Sequence, residues 1–204
     1  MDSAALELEL VALDALRRLF LNGPELAWVE AVAGLDPPDG FDPVASGLRA
    51  LRDAILATRN RPAGWQEALE AEYTRLLIGP GDVPAMPYGS FYLSPSRHLM
   101  TEETLAVRQC YLEAGLAVER LNQTPDDHVG VELEFLYFLG QRAAQAAMQG
   151  DQAGAAAALN ARRSFVADHC GRWMPAFALR MQAATSEPVL VAAARLLAAL
   201  IGRA

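Results

Sequence analysis

Apolar residues recur at steps of three and four along most of this 204-residue chain, and that periodicity predicts helices. Near the N-terminus, Leu6, Leu10, Leu13 and Leu16 follow this spacing. Hydrophobic residues make up 52% of the chain, and this share is mostly Ala and Leu rather than β-branched residues. Such a composition favours helix over sheet. The sequence therefore predicts an all-α fold.

Glycine, proline and capping residues divide this pattern into roughly eight to ten helices. We predict helices over residues 3–21, 24–33, 42–58 and 62–78, and further helices that begin near 101, 124, 151, 173 and 188. Gly171 is expected to separate two of them. A chain of this length buries about 70% of its unfolded surface, so it needs no metal or disulfide for stability. We expect one globular domain over 1–204, with soft divisions near 79–100 and 122–125.

The longest interruption of the helical pattern runs from Gly79 to Pro95 and is rich in proline and glycine. Loops of this length in a compact domain tend to be functional or disordered. Tyr88, Phe91 and other apolar residues give this loop something to bury. We therefore expect it to be ordered and to pack across the helices.

Charge and composition exclude several classes of function. The net charge is −8 and no stripe of basic residues is present, so nucleic acid is not an expected partner. The two cysteines, Cys110 and Cys170, lie far apart and suit a reducing compartment. The most apolar run, 189–201, is shorter than the roughly 20 residues that span a bilayer, and the N-terminus lacks a basic signal region. We expect a cytoplasmic protein without stable membrane insertion.

The segment from Thr124 onward is typical of a helix start. We predict Thr124 as N-cap and Pro125 at the first helical position. Asp126 and Asp127 would then lie in the first turn, where the helix dipole favours negative charge, and His128 follows at once. Capping explains one proline and one aspartate, but not a second aspartate followed by histidine.

The residues of this segment leave two alternative functions open, an enzyme and a protein-interaction module. Asp127, His128 and Glu132 are close in sequence, so a metal-dependent helical enzyme is one alternative. A catalytic zinc or di-iron site needs three or four ligands, however, and no further partner is evident. We find no nucleophile motif and no phosphate loop, and we expect neither catalytic residues nor a bound metal or cofactor. A general helical protein-interaction module is a further alternative.

Taken together in their order and spacing, the motifs between residues 72 and 139 resemble the TorD/DmsD/NarJ group of redox-enzyme maturation chaperones, nearest its TorD/DmsD branch. The motifs are Tyr73-x-x-Leu76-Leu77, Gly79-Pro80-Gly81, Pro84, Pro87-Tyr88, Ser90-Phe91-Tyr92-Leu93, Val107-Arg108 with Tyr111, Pro125-Asp126-Asp127-His128, and Glu132-Leu133-Glu134-Phe135.

The resemblance implies an all-helical cytoplasmic chaperone rather than an enzyme. Its partner would be the twin-arginine leader of a molybdopterin-containing oxidoreductase subunit of the DMSO or TMAO reductase type, held back until the cofactor is inserted. Such a chaperone would act as a monomer or a homodimer.

Residue types suggest how such a leader would be held. An apolar groove would take its apolar stretch, as grooves take amphipathic helices. Carboxylates would face its arginines, whose planar forks suit them, and His128 would orient a carboxylate or donate to the peptide backbone. The expected signal-peptide-binding residues are Tyr73, Leu76, Leu77, Pro84, Pro87, Tyr88, Phe91, Asp126, Asp127, His128 and Glu132.

Overall fold

In the computed structural model, the residues described are 3–58, 63–95, 98–116 and 125–203. They form ten α-helices and one π-helical turn, and this part of the chain contains no strand. The all-α prediction is confirmed. The helices are α1 (Ser3–Asn22), α2 (Leu26–Ala33), α3 (Pro43–Thr58), α4 (Trp65–Leu77), α5 (Gly89–Leu93), α6 (Glu102–Glu113), α7 (Val129–Met148), α8 (Gln152–Phe165), α9 (Gly171–Ala184) and α10 (Pro188–Ile201), with the π-helical turn Val166–Cys170 between α8 and α9.

Helix α7 packs between α1 and α8, while α10 packs against α3 and α9. Removing apolar surface from water drives this arrangement. Two glycines on α7 let α1 approach closely. A Cβ on Gly130 would lie 2.8 Å from Leu21 Cγ, and a Cβ on Gly140 would lie 2.8 Å from Leu10 Cδ2. The α1–α7 contact therefore depends on two positions that carry no side chain.

The proline- and glycine-rich loop is ordered and lies across the helices, as expected. The Ala85 N–H donates to the Leu76 carbonyl at 3.1 Å, and the Tyr92 ring stacks on Trp173 with 5.5 Å between ring centroids. The loop also contains the five-residue helix α5, which the sequence pattern did not predict. One turn of helix is too short to show an apolar period.

The predicted start of the 124–149 helix is wrong. Helix α7 begins at Val129, and its N-cap is His128, whose Nδ1 accepts from the Gly130 N–H at 3.2 Å. The preceding residues form a turn in which the His128 N–H donates to the Pro125 carbonyl at 3.1 Å. A proline followed by Asp is as typical of a turn as of a helix start, and Thr124 lies outside the described residues.

The predicted break at Gly171 is also wrong. Helices α8 and α9 are joined without interruption by the π-helical turn Val166–Cys170. Gly171 has an ordinary helical φ of −64°, and a Cβ there would lie 2.9 Å from the Val166 carbonyl oxygen. The glycine accommodates the wider turn and does not end the helix.

Two further predictions fall on residues outside the described ranges: the helix start at Pro62 and the connection 122–124. Within the described ranges, none of the helices combines the length and the hydropathy needed to cross a membrane.

Candidate functional site

The proline-rich loop and the turn before α7 meet through backbone hydrogen bonds. The Gly89 N–H donates to the Asp127 carbonyl at 2.9 Å, and the Val129 N–H donates to the Pro87 carbonyl at 2.9 Å. Tyr88 and His128 thereby form an isolated antiparallel bridge. These bonds join residues 87–89 of the loop to residues 127–129, about 40 residues later in the sequence, and we call this joined surface the wall.

The Asp127 carboxylate stabilises this wall through buried hydrogen bonds. Its side chain is fully buried. It accepts from the Ser90 N–H at 2.6 Å and from the Thr104 hydroxyl at 3.0 Å. Asp127 therefore ties together α5, α6 and the turn, and it offers no surface to a ligand in this structure.

Asp126 is also fully buried, and it makes two further contacts to α6. Its carboxylate lies 2.5 Å from Arg108 Nε. Its carbonyl accepts from the Tyr111 hydroxyl at 2.9 Å. A buried carboxylate requires such compensation because leaving it unpaired costs several kcal/mol.

The Glu132 carboxylate is buried beneath α5 among three partners. His169 Nε2 lies 2.8 Å from Oε1, while Trp173 Nε1 and Cys170 Sγ lie 3.1 and 3.3 Å from Oε2. Burial raises the pKa of Glu132, against the lowering effect of His169 and the other hydrogen-bond donors. These contacts link α7 to the π-helical turn and α9. Neither His169 nor Trp173 was among the site residues expected from the sequence.

His128 is a neutral hydrogen-bonding group at the surface of this wall. Burial lowers its pKa to about 4, although the negative charge of Asp127 acts in the opposite direction. Because Nδ1 accepts from the Gly130 N–H, the proton of the neutral ring is on Nε2. Nε2 has no partner among the described residues, and the Tyr88 ring packs against the imidazole at 5.2 Å between centroids.

An open cleft of about 1140 Å³ lies between α1, the end of α4, the loop and α7. We call it the cleft. Most of its wall is apolar or aromatic, and a smaller number of polar groups lie along it. Its lining residues are Arg17, Phe20, Leu21, Asn22, Gly23, Tyr73, Leu77, Ile78, Val83, Met86, Pro87, Tyr88, Tyr111, Leu116, His128, Val131, Glu134, Phe135, Tyr137, Phe138 and Gln141.

The cleft brings together some of the residues selected from the sequence. Those that line it are Tyr73, Leu77, Pro87, Tyr88 and His128. The remainder, which lie elsewhere, are Leu76, Pro84, Phe91, Asp126, Asp127 and Glu132.

The apolar residues away from the cleft have structural surroundings of their own. Leu76 has no exposed surface and belongs to the core. The Pro84 carbonyl accepts from Arg180 Nε at 3.2 Å, and the Arg180 guanidinium also lies 5.4 Å from the Phe91 ring centroid. Pro84 and Phe91 thus hold the loop against α9.

Of the 21 described residues that line the cleft, five were selected from the sequence and sixteen were not. Val131, Phe135 and Phe138 of α7 line the cleft but were not among the residues expected to bind the leader. The signal was present, because these residues continue from His128 at steps of three and four and so share its face of the helix. For the part contributed by α1, including Arg17 and Phe20, no local signal existed.

The described residues do not meet the ligand requirement of a metal centre at this site. Among the residues that the structure describes, no group of three or more His, Cys, Asp or Glu side chains is placed to hold a metal ion. The alternative of a metal-dependent enzyme built on Asp127, His128 and Glu132 therefore has no ligand set in the described ranges.

Comparison with known proteins gives a consistent result. The family model described as "Nitrate reductase delta subunit" matches residues 41–179. The chaperone protein TorD of Photobacterium profundum is 30% identical over 152 residues, which is 74% of this chain and 68% of that protein. TorD of Vibrio cholerae is 30% identical over 154 residues, 76% of this chain and 68% of that protein. The Tat proofreading chaperone DmsD of Salmonella typhi is 36% identical over 76 residues, 37% of each chain.

Proposed function

This chain belongs to the nitrate reductase delta subunit family, and from that membership we propose that it is a chaperone for the maturation of a molybdopterin-containing oxidoreductase. It acts in the cytoplasm on a subunit of the DMSO or TMAO reductase type. It binds the twin-arginine leader of that subunit until the cofactor has been inserted. The names of the TorD and DmsD relatives support a chaperone rather than an enzyme.

The observation that carries this proposal is the cleft itself. Its volume of about 1140 Å³ exceeds what a single side chain fills, and aromatic rings from α4, the loop and α7 line it. A helix laid into an apolar groove buries its apolar face there and leaves its other face in water. The apolar stretch of a leader peptide matches this requirement.

Contacts to the leader come from the residues that face the cleft. Tyr73, Leu77, Pro87 and Tyr88 contact its apolar side chains, because each of them lines the cleft. His128 donates its Nε2–H to a carbonyl of the peptide backbone. A neutral donor suits that task because the low pKa of His128 keeps it uncharged at neutral pH.

The buried carboxylates have a positioning role in this proposal. Asp126, Asp127 and Glu132 are each used inside the fold, where they fix α6, α5 and α9 relative to α7. Leu76, Pro84 and Phe91 support the loop from behind. These six residues shape the cleft and do not contact the leader.

Calorimetry with a synthetic twin-arginine leader tests the proposal. The peptide has the sequence of the leader of a molybdoenzyme subunit of the DMSO or TMAO reductase type. Tyr88→Ala and Ile78→Ala weaken binding, because each removes apolar wall from the cleft. Leu179→Ala is the matched control, since Leu179 is an exposed leucine on α9 outside the cleft. Circular dichroism verifies that each variant is folded. Absence of binding by the wild-type protein, or equal losses in all three variants, contradicts the proposal.

A further inference from the structure

At the rim of the cleft, the chain's own Arg17 occupies a site built for a guanidinium. Arg17 Nη1 lies 3.1 Å from Glu134 Oε1, and Arg17 Nη2 lies 2.5 Å from Asp14 Oδ1. The guanidinium carbon lies 4.5 Å from the centroid of the Tyr137 ring. Gln141 Nε2 donates to the Tyr137 hydroxyl at 2.9 Å, which holds that ring in place. We call Asp14, Glu134 and Tyr137 the rim seat.

Arg17 is held incompletely in the rim seat. Its Nε–H is buried and has no hydrogen-bond partner among the described residues. Glu134 is 53% exposed, so water competes for its carboxylate. An ion pair that is exposed on one side contributes little to stability, so the contact of Arg17 with Glu134 is weak. The contact with Asp14 is more enclosed, with side chains 20% and 34% exposed. An incoming guanidinium therefore competes with Arg17 most easily at Glu134.

The rim seat lies directly beside the apolar wall of the cleft. Glu134 lies three residues after Val131 and four before Phe138 on α7, and all three line the cleft. A peptide that packs the end of its apolar stretch on Val131 or Phe138 has Glu134 within reach of an adjacent basic residue. Asp126, Asp127 and Glu132 are fully buried and cannot serve this purpose without unfolding the wall.

We propose that the rim seat is the subsite for an arginine of the leader, and that Arg17 fills it until the leader arginine displaces Arg17. This inference rests on the proposed function. The ligand is an arginine rather than a lysine for two reasons. Only a planar guanidinium pairs side-on with a carboxylate while stacking on an aromatic ring. A lysine ammonium ion is a point charge that bulk water solvates strongly.

Two peptides and two variants at neighbouring arginines distinguish competition by Arg17 from a general effect of protein charge on peptide affinity. The peptides are the twin-arginine leader and the same leader with Lys-Lys in place of Arg-Arg. In Arg17→Gln the rim seat is vacant, and the affinity for the Arg-Arg peptide rises about three- to fivefold, the size expected for release of an exposed ion pair. Arg18→Gln is the control. It removes the same charge one residue away, and Arg18 pairs with Asp14 at 3.8 Å but does not line the cleft.

Variants of the seat itself give the opposite result. Glu134→Gln and Tyr137→Leu each lower the affinity for the Arg-Arg peptide about fivefold and leave the Lys-Lys peptide nearly unchanged. Glu30→Gln is the control for loss of an exposed carboxylate, because Glu30 lies on α2 away from the cleft. Circular dichroism verifies folding, and Glu134→Gln tests the seat independently should Tyr137→Leu not fold.

Failure of this inference is distinguishable from failure of the proposed function. If wild-type protein binds the leader but Arg17→Gln and Arg18→Gln bind it equally, Arg17 does not compete and the inference is wrong. Equal losses for both peptides in Glu134→Gln also overturn it, because the seat would then lack selectivity for a guanidinium. If neither peptide binds to wild-type protein, the proposed function itself is contradicted.

Discussion

The Asp127 carboxylate accepts the backbone N–H of Ser90 at 2.6 Å, across 37 residues of sequence. The same carboxylate accepts the Thr104 hydroxyl. All three residues are buried, so none of these groups has water as a substitute partner. One side chain thus determines how the loop, α6 and the start of α7 fit together, and this fit forms the wall of the cleft.

Replacing Asp127 by Ala should destabilise the protein by about 1–3 kcal/mol, because two buried donors would lose their acceptor. Asp127→Asn should cost less, since its amide oxygen can still accept one of the two hydrogen bonds. Urea denaturation followed by circular dichroism measures both changes. Asp53→Ala is the control, because Asp53 is exposed and its partner among the described residues is Arg52, so a change within about 0.5 kcal/mol is expected. Equal effects at positions 127 and 53 would contradict the assigned role.

Tyr111→Phe tests the second attachment of α6. The Tyr111 hydroxyl donates to the Asp126 carbonyl inside the protein. Its removal should lower the free energy of unfolding by about 1 kcal/mol, the usual value of one such hydrogen bond. The ring remains, so its packing on Phe135 at 4.8 Å between centroids should persist. The matched control is Tyr137→Phe. Within the described part of the chain, the Tyr137 hydroxyl accepts from one exposed glutamine, Gln141. A smaller loss at Tyr111 than at Tyr137 would show that this bond does not secure α6.

The sequence predicted the fold class and most helices, because apolar period and capping residues are local signals. It also identified the stretch around His128 and the proline-rich loop as the two parts of one site. Their contact through the Tyr88–His128 bridge agrees with that expectation. The fold class and the helices were predictable because their signals lie within one or two turns of the chain. The two parts of the site are about 40 residues apart, and they were assigned to one site through the resemblance to the chaperone family, which depends on the order and spacing of the motifs.

Local pattern could not predict the direction of the acidic side chains. Pro125-Asp126-Asp127 suits a first helical turn and an isolated turn equally well. The buried positions of the two aspartate side chains depend on their partners Ser90, Thr104 and Arg108, which are 18 to 37 residues away in sequence. The contribution of α1 to the cleft was hidden for the same reason, because it depends on how closely α1 approaches α7.

The stability of the protein should depend on the ionisation of His128. Its pKa is about 4 in the folded protein and about 6.5 when unfolded. Between these values the unfolded chain binds more protons, so stability is full above pH 6.5 and falls as the pH drops toward 4. The free energy of unfolding should fall by an amount on the order of 3 kcal/mol.

His128→Asn isolates that contribution, because Asn is an effective N-cap but does not titrate. Urea denaturation of both proteins at several pH values gives the difference in unfolding free energy. We expect the advantage of the wild type over the variant to shrink steadily from pH 6.5 to pH 4. Curves that stay parallel over this range would mean that His128 is protonated equally in both states.

Leader binding should raise the thermal stability of the protein through mass action. A ligand that binds only the folded state at about 100 times its Kd adds about 2.7 kcal/mol. The twin-arginine leader should therefore raise Tm, and a leader whose apolar stretch is replaced by Gly and Ser should not, because the wall of the cleft is mainly apolar and aromatic. Differential scanning calorimetry at equal peptide concentrations measures the two shifts. Amide hydrogen exchange should show added protection in the loop and the first turns of α7, with none in α2 and α3. Equal Tm shifts with both peptides would mean that charge alone, and not the cleft, holds the leader.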